Sequence, residues 1–228
     1  VITGETIDFS KRFAHSEEGK HYLNLVSLLT PIVKSWCTDQ AVYITSLGIQ
    51  VHGGMGFIED TGAAQYYRDC RILAIYEGTN GIQALDLLRR KLFQENGETY
   101  KKVLQIIKNT ADLAIKSKNY NLKEMGELLF KSLDVIKDCS VWLIDKYEEN
   151  PEISAAGATP FLNMFGWVLG GWVMVDSANK AQLIILKDKD NKFAKEKINT
   201  ASFFCNTYLP LASSLQNTIK KSFYALEK

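Results

Sequence analysis

Residues 122–147 read LKEMGELLFKSLDVIKDCSVWLIDKY, with apolar side chains recurring at Leu122, Met125, Leu129, Leu133, Ile136, Leu143 and Tyr147. Steps of three, four and seven put one apolar stripe along a helix of 3.6 residues per turn. A strand would need alternation at every second residue, and strand patterns are absent along the chain. Working outward, the same period predicts helices over residues 31–47, 61–70, 81–92, 98–116, 161–187 and 192–224. Thr30 as cap and Pro31 at the first position would open the earliest of these. Asn96-Gly97, the asparagines at 119 and 121, and Asn150-Pro151 mark turns between them. The fold class is therefore all-α: a helical bundle over residues 1–97, followed by a second, antiparallel helical bundle over residues 98–228.

Composition narrows the function classes. A chain of 228 residues that is 46% hydrophobic, with only 4 prolines, can bury a substantial core. Its net charge of +1 argues against nucleic acid as the main partner, and its lysines are interleaved with acids as on a solvated helix face. Cys37, Cys70, Cys139 and Cys205 lie far apart, at neither metal-ligand nor redox-motif spacing. They read as reduced, mostly buried thiols of a cytoplasmic protein. His15, His21 and His52 form no metal constellation, and no Gly-x-Ser-x-Gly elbow occurs. Glu5 and Asp8 interrupt any basic-then-apolar leader. The run FLNMFGWVLGGWVMV over residues 161–175 is strongly apolar, but its apolar core falls short of the roughly 20 residues a bilayer demands. It is expected to be a central buried helix with no membrane span, its tryptophans in the core or at a subunit interface.

Two motifs carry chemistry. In Ile75-Tyr76-Glu77-Gly78-Thr79-Asn80-Gly81-Ile82-Gln83, a carboxylate stands between an apolar stretch and a glycine, at the threshold of a helix. Asn80 and Gln83 read as a capping pair. The exposed N–H groups of that helix start, with the Thr79 hydroxyl, suit anionic groups such as phosphates. Burial beside Ile75 and Tyr76 would make Glu77 a stronger proton acceptor. Taken alone, Glu77 reads rather as a surface carboxylate stabilised by the helix dipole, since glutamate before glycine is common. About two dozen residues earlier, Gln50-Val51-His52-Gly53-Gly54-Met55-Gly56-Phe57 has glycines that let a backbone approach a ligand. Its spacing is not that of a dinucleotide-binding fingerprint, and a helical pattern precedes it where a strand would be required. The glycines also suit a plain helix end.

In order and spacing, these two motifs with Tyr67-Arg68-Asp69-Cys70-Arg71-Ile72 between them resemble the C-terminal helical domain of the flavoprotein acyl-CoA dehydrogenases. The long tail is similar to the extra C-terminal domain of a larger bacterial subgroup that includes enzymes of methylthiopropionyl-CoA type. The resemblance implies that Glu77 is the catalytic base, removing the α-proton of an acyl-CoA thioester while hydride passes to FAD. It implies that Gly78 lies against the substrate and that Thr79 and Asn80 contact FAD. Gln50, Val51, His52, Gly53 and Gly54 would reach the FAD of a neighbouring subunit, which implies a homodimer or homotetramer. An electron-transfer flavoprotein would reoxidise the flavin. The chain departs from the family at Gly81, where many members carry glutamine, and at His52, read as a neutral packing histidine. Arg68 and Asp69 are expected to pair locally or to support the Glu77 loop. Neither the N-terminal helical domain nor the middle β-domain of the family is visible, so the chain reads as the C-terminal portion of a longer enzyme. The alternative is a non-catalytic helical module that serves subunit association.

Overall fold

The computed structural model describes residues 2–221, and these are helical throughout with turns between; no strand occurs among the described residues. The chain forms two units, Val1–Gln94 and Glu95–Lys228.

In the first unit, helix α1 (Ile2–Arg12) folds back on the start of α2 (Glu17–His52) through an aromatic cluster in which the Phe9 and Tyr22 rings lie 5.2 Å apart. Ser16 starts α2: its side-chain oxygen accepts the Gly19 amide at 3.1 Å, with Glu17 and Glu18 in the first turn where the dipole favours acids. The expectation that this helix begins at Pro31 is corrected. Pro31 sits buried in the helix interior, and Thr30, instead of capping, donates its hydroxyl to the Val26 carbonyl at 2.7 Å. A mid-helix proline removes one backbone bond. Leu28, Leu29 and Ile32 are buried around it, and their packing offsets that loss. The result is a spine of 36 residues, about 54 Å long at 1.5 Å per residue, against which α3 (Gly54–Phe57), α4 (Ala63–Cys70) and α5 (Asn80–Asp86) pack. Helix α5 is shorter than the period over 81–92 suggests, because a wide π turn at Leu87–Lys91 follows it and buries Leu87 and Leu88.

In the second unit, α6 (Glu98–Ile115), α7 (Tyr120–Glu149) and α9 (Ala158–Lys187) pack on one another, with α8 (Pro151–Ala156) in the turn between the last two. The stripe read from the sequence is the buried face of α7 up to its last member: Leu122, Met125, Leu129, Leu133, Ile136 and Leu143 are all buried, and Tyr147, near the helix end, is half-buried. Gly126 lets α6 and α7 touch, since a Cβ there would lie 2.8 Å from both the Ala111 carbonyl oxygen and the Ile115 amide. Asn119 and Asn150 cap α7 and α8 by accepting the Asn121 and Glu152 amides, each at 3.0 Å. Helix α9 is long and apolar enough to cross a bilayer by length and composition, and 50% of its most apolar window is buried, against α6, α7 and α10 (Lys192–Thr207). Its tryptophans are half-buried: Trp167 stacks on Tyr208 at 5.7 Å, and Trp172 donates to Thr110 Oγ1 at 3.0 Å.

The single helix expected over 192–224 is broken. Pro210 cannot donate a helical amide, so α10 stops at Thr207 and a short α11 (Pro210–Ser214) restarts with Pro210 in its first turn, before α12 (Gln216–Lys221). The end of the expected helix, residues 222–224, lies outside the described residues.

The cysteines divide two and two, which corrects the expectation that most are buried: Cys139 and Cys205 are buried, Cys70 is half-buried and Cys37 is exposed. Burial pushes the Cys139 thiol up to about 11 and the Cys205 thiol to about 12, so neither offers thiolate near neutral pH. With iodoacetamide on the native protein, Cys37 is expected to label first and Cys139 and Cys205 only on unfolding. Peptide mapping that found Cys205 alkylated in the native state would contradict this packing.

Candidate functional site

Glu77 and Gly78 form a left-handed turn between Tyr76 and α5, with φ of 55° and 87°. A side chain in this region costs about 1–2 kcal/mol, which glycine escapes and Glu77 does not. Two side chains hold the turn from outside. Gln83, one turn into α5, donates its Nε2 to the Glu77 carbonyl at 3.1 Å. Lys34 of α2 donates its Nζ to the Gly78 carbonyl at 2.7 Å.

Asn80 corrects the capping reading. It is the first residue of α5, not its cap; Thr79 is the cap residue, and its side chain makes no capping bond. Asn80 instead points sideways into α2. Its Oδ1 accepts from Lys34 Nζ at 2.8 Å, while its Nδ2 donates to Asp39 Oδ1 at 2.7 Å, Thr38 Oγ1 at 3.0 Å and the Ser35 carbonyl at 3.2 Å. The amide can face only one way, because an ammonium cannot accept a hydrogen bond and a carboxylate cannot donate one. Sequence reasoning missed Lys34, Ser35, Thr38 and Asp39. Their signal was a polar group at helical spacing inside an otherwise apolar helix, between Ile32 and Ala41.

The burial expected for Glu77 is not supplied by its neighbours. Ile75 and Tyr76 are each 48% exposed, and Glu77 and Thr79 are exposed with them. The anchors of the turn are the Glu77 and Gly78 carbonyls and the Asn80 side chain, and the Glu77 carboxylate takes no part in them.

The glycine-rich motif lies elsewhere on the same helix. Gln50, Val51 and His52 form the last turn of α2, and Gly53 ends it with φ 62° and its amide on the Gln50 carbonyl at 3.1 Å; Gly54 begins α3. All five residues are exposed, so the packing role expected for His52 is not observed. From Asp39 to Gln50 the helix rises about 16 Å, so the turn at Glu77 and this segment do not share one small site. Around the segment, Val51 is 86% and Phe57 82% exposed, beside exposed Met55, Ile58 and Tyr66. Arg68 donates from Nη1 to both carboxylate oxygens of Glu59, at 3.0 and 3.1 Å, and its Nε approaches Asp69 at 3.6 Å. This is a local, solvent-exposed pairing worth at most about 1 kcal/mol, separate from Glu77.

These features define an all-helical chain that presents, from one unit, an outward carboxylate on a strained turn and a separate glycine-rich helix end set in apolar surface. Residues 12–92 match the family model described as acyl-CoA dehydrogenase, C-terminal domain, and residues 101–226 match the one described as acetyl-CoA dehydrogenase C-terminal like. The chain belongs to the acyl-CoA dehydrogenase family. It is 35% identical over 219 residues to a 3-methylmercaptopropionyl-CoA dehydrogenase of Ruegeria pomeroyi, covering 96% of this chain and 37% of that protein. A butyryl-CoA dehydrogenase of Syntrophomonas wolfei is 30% identical over 94% of this chain and 35% of its own length. A broad-specificity linear acyl-CoA dehydrogenase of Mycobacterium tuberculosis is 28% identical over 90% and 35%. The chain thus spans about a third of the length of these relatives.

The donors at the start of α5 could meet part of a flavin dinucleotide. The unpaired amides at the start of α5 and the Thr79 hydroxyl match anionic oxygens, and the apolar surface around Val51 and Phe57 matches a flat, partly apolar ligand or a partner that covers it.

Proposed function

We propose that this chain provides the base-bearing part of an FAD-dependent acyl-CoA dehydrogenase. The observation that carries this reading is the strained, doubly anchored turn at Glu77. A non-glycine residue in a left-handed conformation, held by Lys34 and Gln83, is a feature that persists where presentation of a side chain matters. On this reading Glu77 accepts the α-proton of an acyl-CoA thioester, becoming a neutral carboxylic acid. Gly78, lacking a side chain, allows the acyl chain to approach the turn. Thr79 and Asn80 are proposed to contact the cofactor, Asn80 through its main chain, since its side-chain amide is engaged with Lys34, Thr38 and Asp39. FAD, when bound, supplies the acceptor for the hydride that leaves the β-carbon, so that the thioester gains an α,β double bond. The electron-transfer flavoprotein is proposed as the reoxidant on family grounds.

Residues 1–97 and 98–228 are proposed as the two helical domains of this part. The segment from Gln50 to Gly54 is proposed to meet the flavin of a second subunit in a homodimer or homotetramer, since it stands about 24 Å along α2 from Lys34, which anchors the Glu77 turn, and has exposed apolar side chains around it. The same surface is what favours the association-module reading. The enzyme reading accounts in addition for the turn. A cytoplasmic location is proposed, from the free thiols.

Anaerobic mixing of the complete, flavin-loaded enzyme that contains this chain with an acyl-CoA tests the proposal. The relatives suggest butyryl-CoA and 3-methylmercaptopropionyl-CoA as first compounds. The expected result is bleaching of the visible flavin absorption with formation of enoyl-CoA. Flavin that stays oxidised across short and long acyl chains would overturn it.

A further inference from the structure

We propose that Lys34 is a positioning residue: its ammonium, through the Gly78 carbonyl and Asn80, locks the left-handed turn and so sets the direction of the Glu77 carboxylate. This rests on the reading of Glu77 as the base. Three observations carry it. The Lys34 Nζ bridges two groups of the turn, the Gly78 carbonyl at 2.7 Å and Asn80 Oδ1 at 2.8 Å. Asn80 is itself clamped by Asp39 Oδ1 at 2.7 Å and Thr38 Oγ1 at 3.0 Å, so the ammonium binds a fixed acceptor and not a mobile one. The bridged carbonyl belongs to the residue that follows Glu77, and both residues have positive φ. Gln83 holds the Glu77–Gly78 peptide plane through the Glu77 carbonyl at 3.1 Å, and Lys34 holds the next plane, Gly78–Thr79, through the Gly78 carbonyl. Release of the second plane frees the glycine between them, and the turn that presents Glu77 then rests on Gln83 alone. Charge matters here as well as reach. Cation-assisted hydrogen bonds are about twice as strong as neutral ones, and the Asp39 carboxylate on the far side of the Asn80 amide polarises that amide toward Lys34.

The test compares Lys34→Met, which keeps the helical stem and removes the donor, with Lys34→Arg, which restores charge and donors. In Lys34→Met the backbone order parameters of residues 77–81, from relaxation of the isotopically labelled 228-residue chain, are expected to fall from about 0.85 toward 0.6. In the flavin-loaded protein kcat is expected to fall about tenfold or more, with KM for acyl-CoA changed less than threefold, as for a misaimed base. Lys34→Arg is expected to recover most of both. Unchanged order parameters together with unchanged kcat would overturn the proposal. Loosened residues 77–81 with unchanged kcat, in a protein that Glu77→Gln inactivates, would overturn the positioning role. If Glu77→Gln left turnover intact while Lys34→Met loosened the turn, the base assignment would fail and the tether alone would stand.

Discussion

Glu77→Gln is expected to lower kcat for acyl-CoA oxidation by about 10²–10⁴-fold, the usual contribution of a positioned general base, while flavin content stays that of the parent. This corresponds to roughly 2.7–5.4 kcal/mol of transition-state stabilisation at 1.36 kcal/mol per tenfold. Glutamine is the informative substitution because of the backbone. Glu77 has φ of 55°, and glycine would relieve that strain and change the turn, whereas glutamine keeps the same left-handed cost and nearly the same shape. Its carbonyl anchor to Gln83 and the Lys34 bond to Gly78 involve main-chain oxygens, which the substitution leaves in place. A loss of rate can then be assigned to the proton acceptor alone. Stopped-flow reduction of the bound flavin by acyl-CoA gives the number. A variant that reduces its flavin at the parent rate would remove Glu77 from the mechanism.

Phe165→Ala is expected to destabilise the second unit by about 3–5 kcal/mol, the range for emptying a large aromatic site in a core. Phe165 is 0% exposed, meets the Tyr100 ring edge-on at 5.8 Å and 85°, and lies 6.2 Å from Phe161. Its removal therefore unseats α6 and α9 together, since Tyr100 belongs to the first and Phe161 to the second. Leu183, on the same helix but 61% exposed, is the control, and Leu183→Ala should stay within about 0.5 kcal/mol. Urea unfolding followed by tryptophan fluorescence reads this unit, because Trp142, Trp167 and Trp172 lie in it and only Trp36 lies in the other. Equal midpoints for the two variants would mean that α9 is not the core helix.

Three tests stand beside these: selective alkylation of Cys37, bleaching of the flavin by acyl-CoA, and the loosening of the Glu77 turn in Lys34→Met. They address different links, since the first reads packing, the second chemistry and the third the coupling of a helix side chain to a turn.

Periodicity was enough to read α6 and α7 nearly to their ends, because each buries a stripe that its own spacing records, and α9 was legible from its continuous apolar run. It failed wherever the deciding contact was distant in sequence. Pro31 looked like a helix start by local rules, yet α2 runs through it because Leu28, Leu29 and Ile32 are buried on either side. The true start, Ser16 before Glu17 and Glu18, was legible as a cap and was passed over. Pro210 was the opposite error: the apolar period hid a break that the missing amide enforces.

At the site, the residue types of the turn were readable and their arrangement was not. Asn80 and Gln83 have the identities of a capping pair, and a local rule assigns them to each other. In the folded chain Asn80 turns to Lys34, Thr38 and Asp39, more than forty residues earlier, and Gln83 turns back to the Glu77 carbonyl. By itself the sequence determined the all-helical class, the buried face of α7 and the two motifs, because those depend on residue type and short-range spacing. Only the tertiary structure decided that Glu77 is exposed on a left-handed turn, that Lys34 holds that turn, and that the glycine-rich segment stands about 24 Å from Lys34 along α2. These are relations between side chains brought together by packing, and hydrogen bonds between residues far apart in sequence leave no period along the chain.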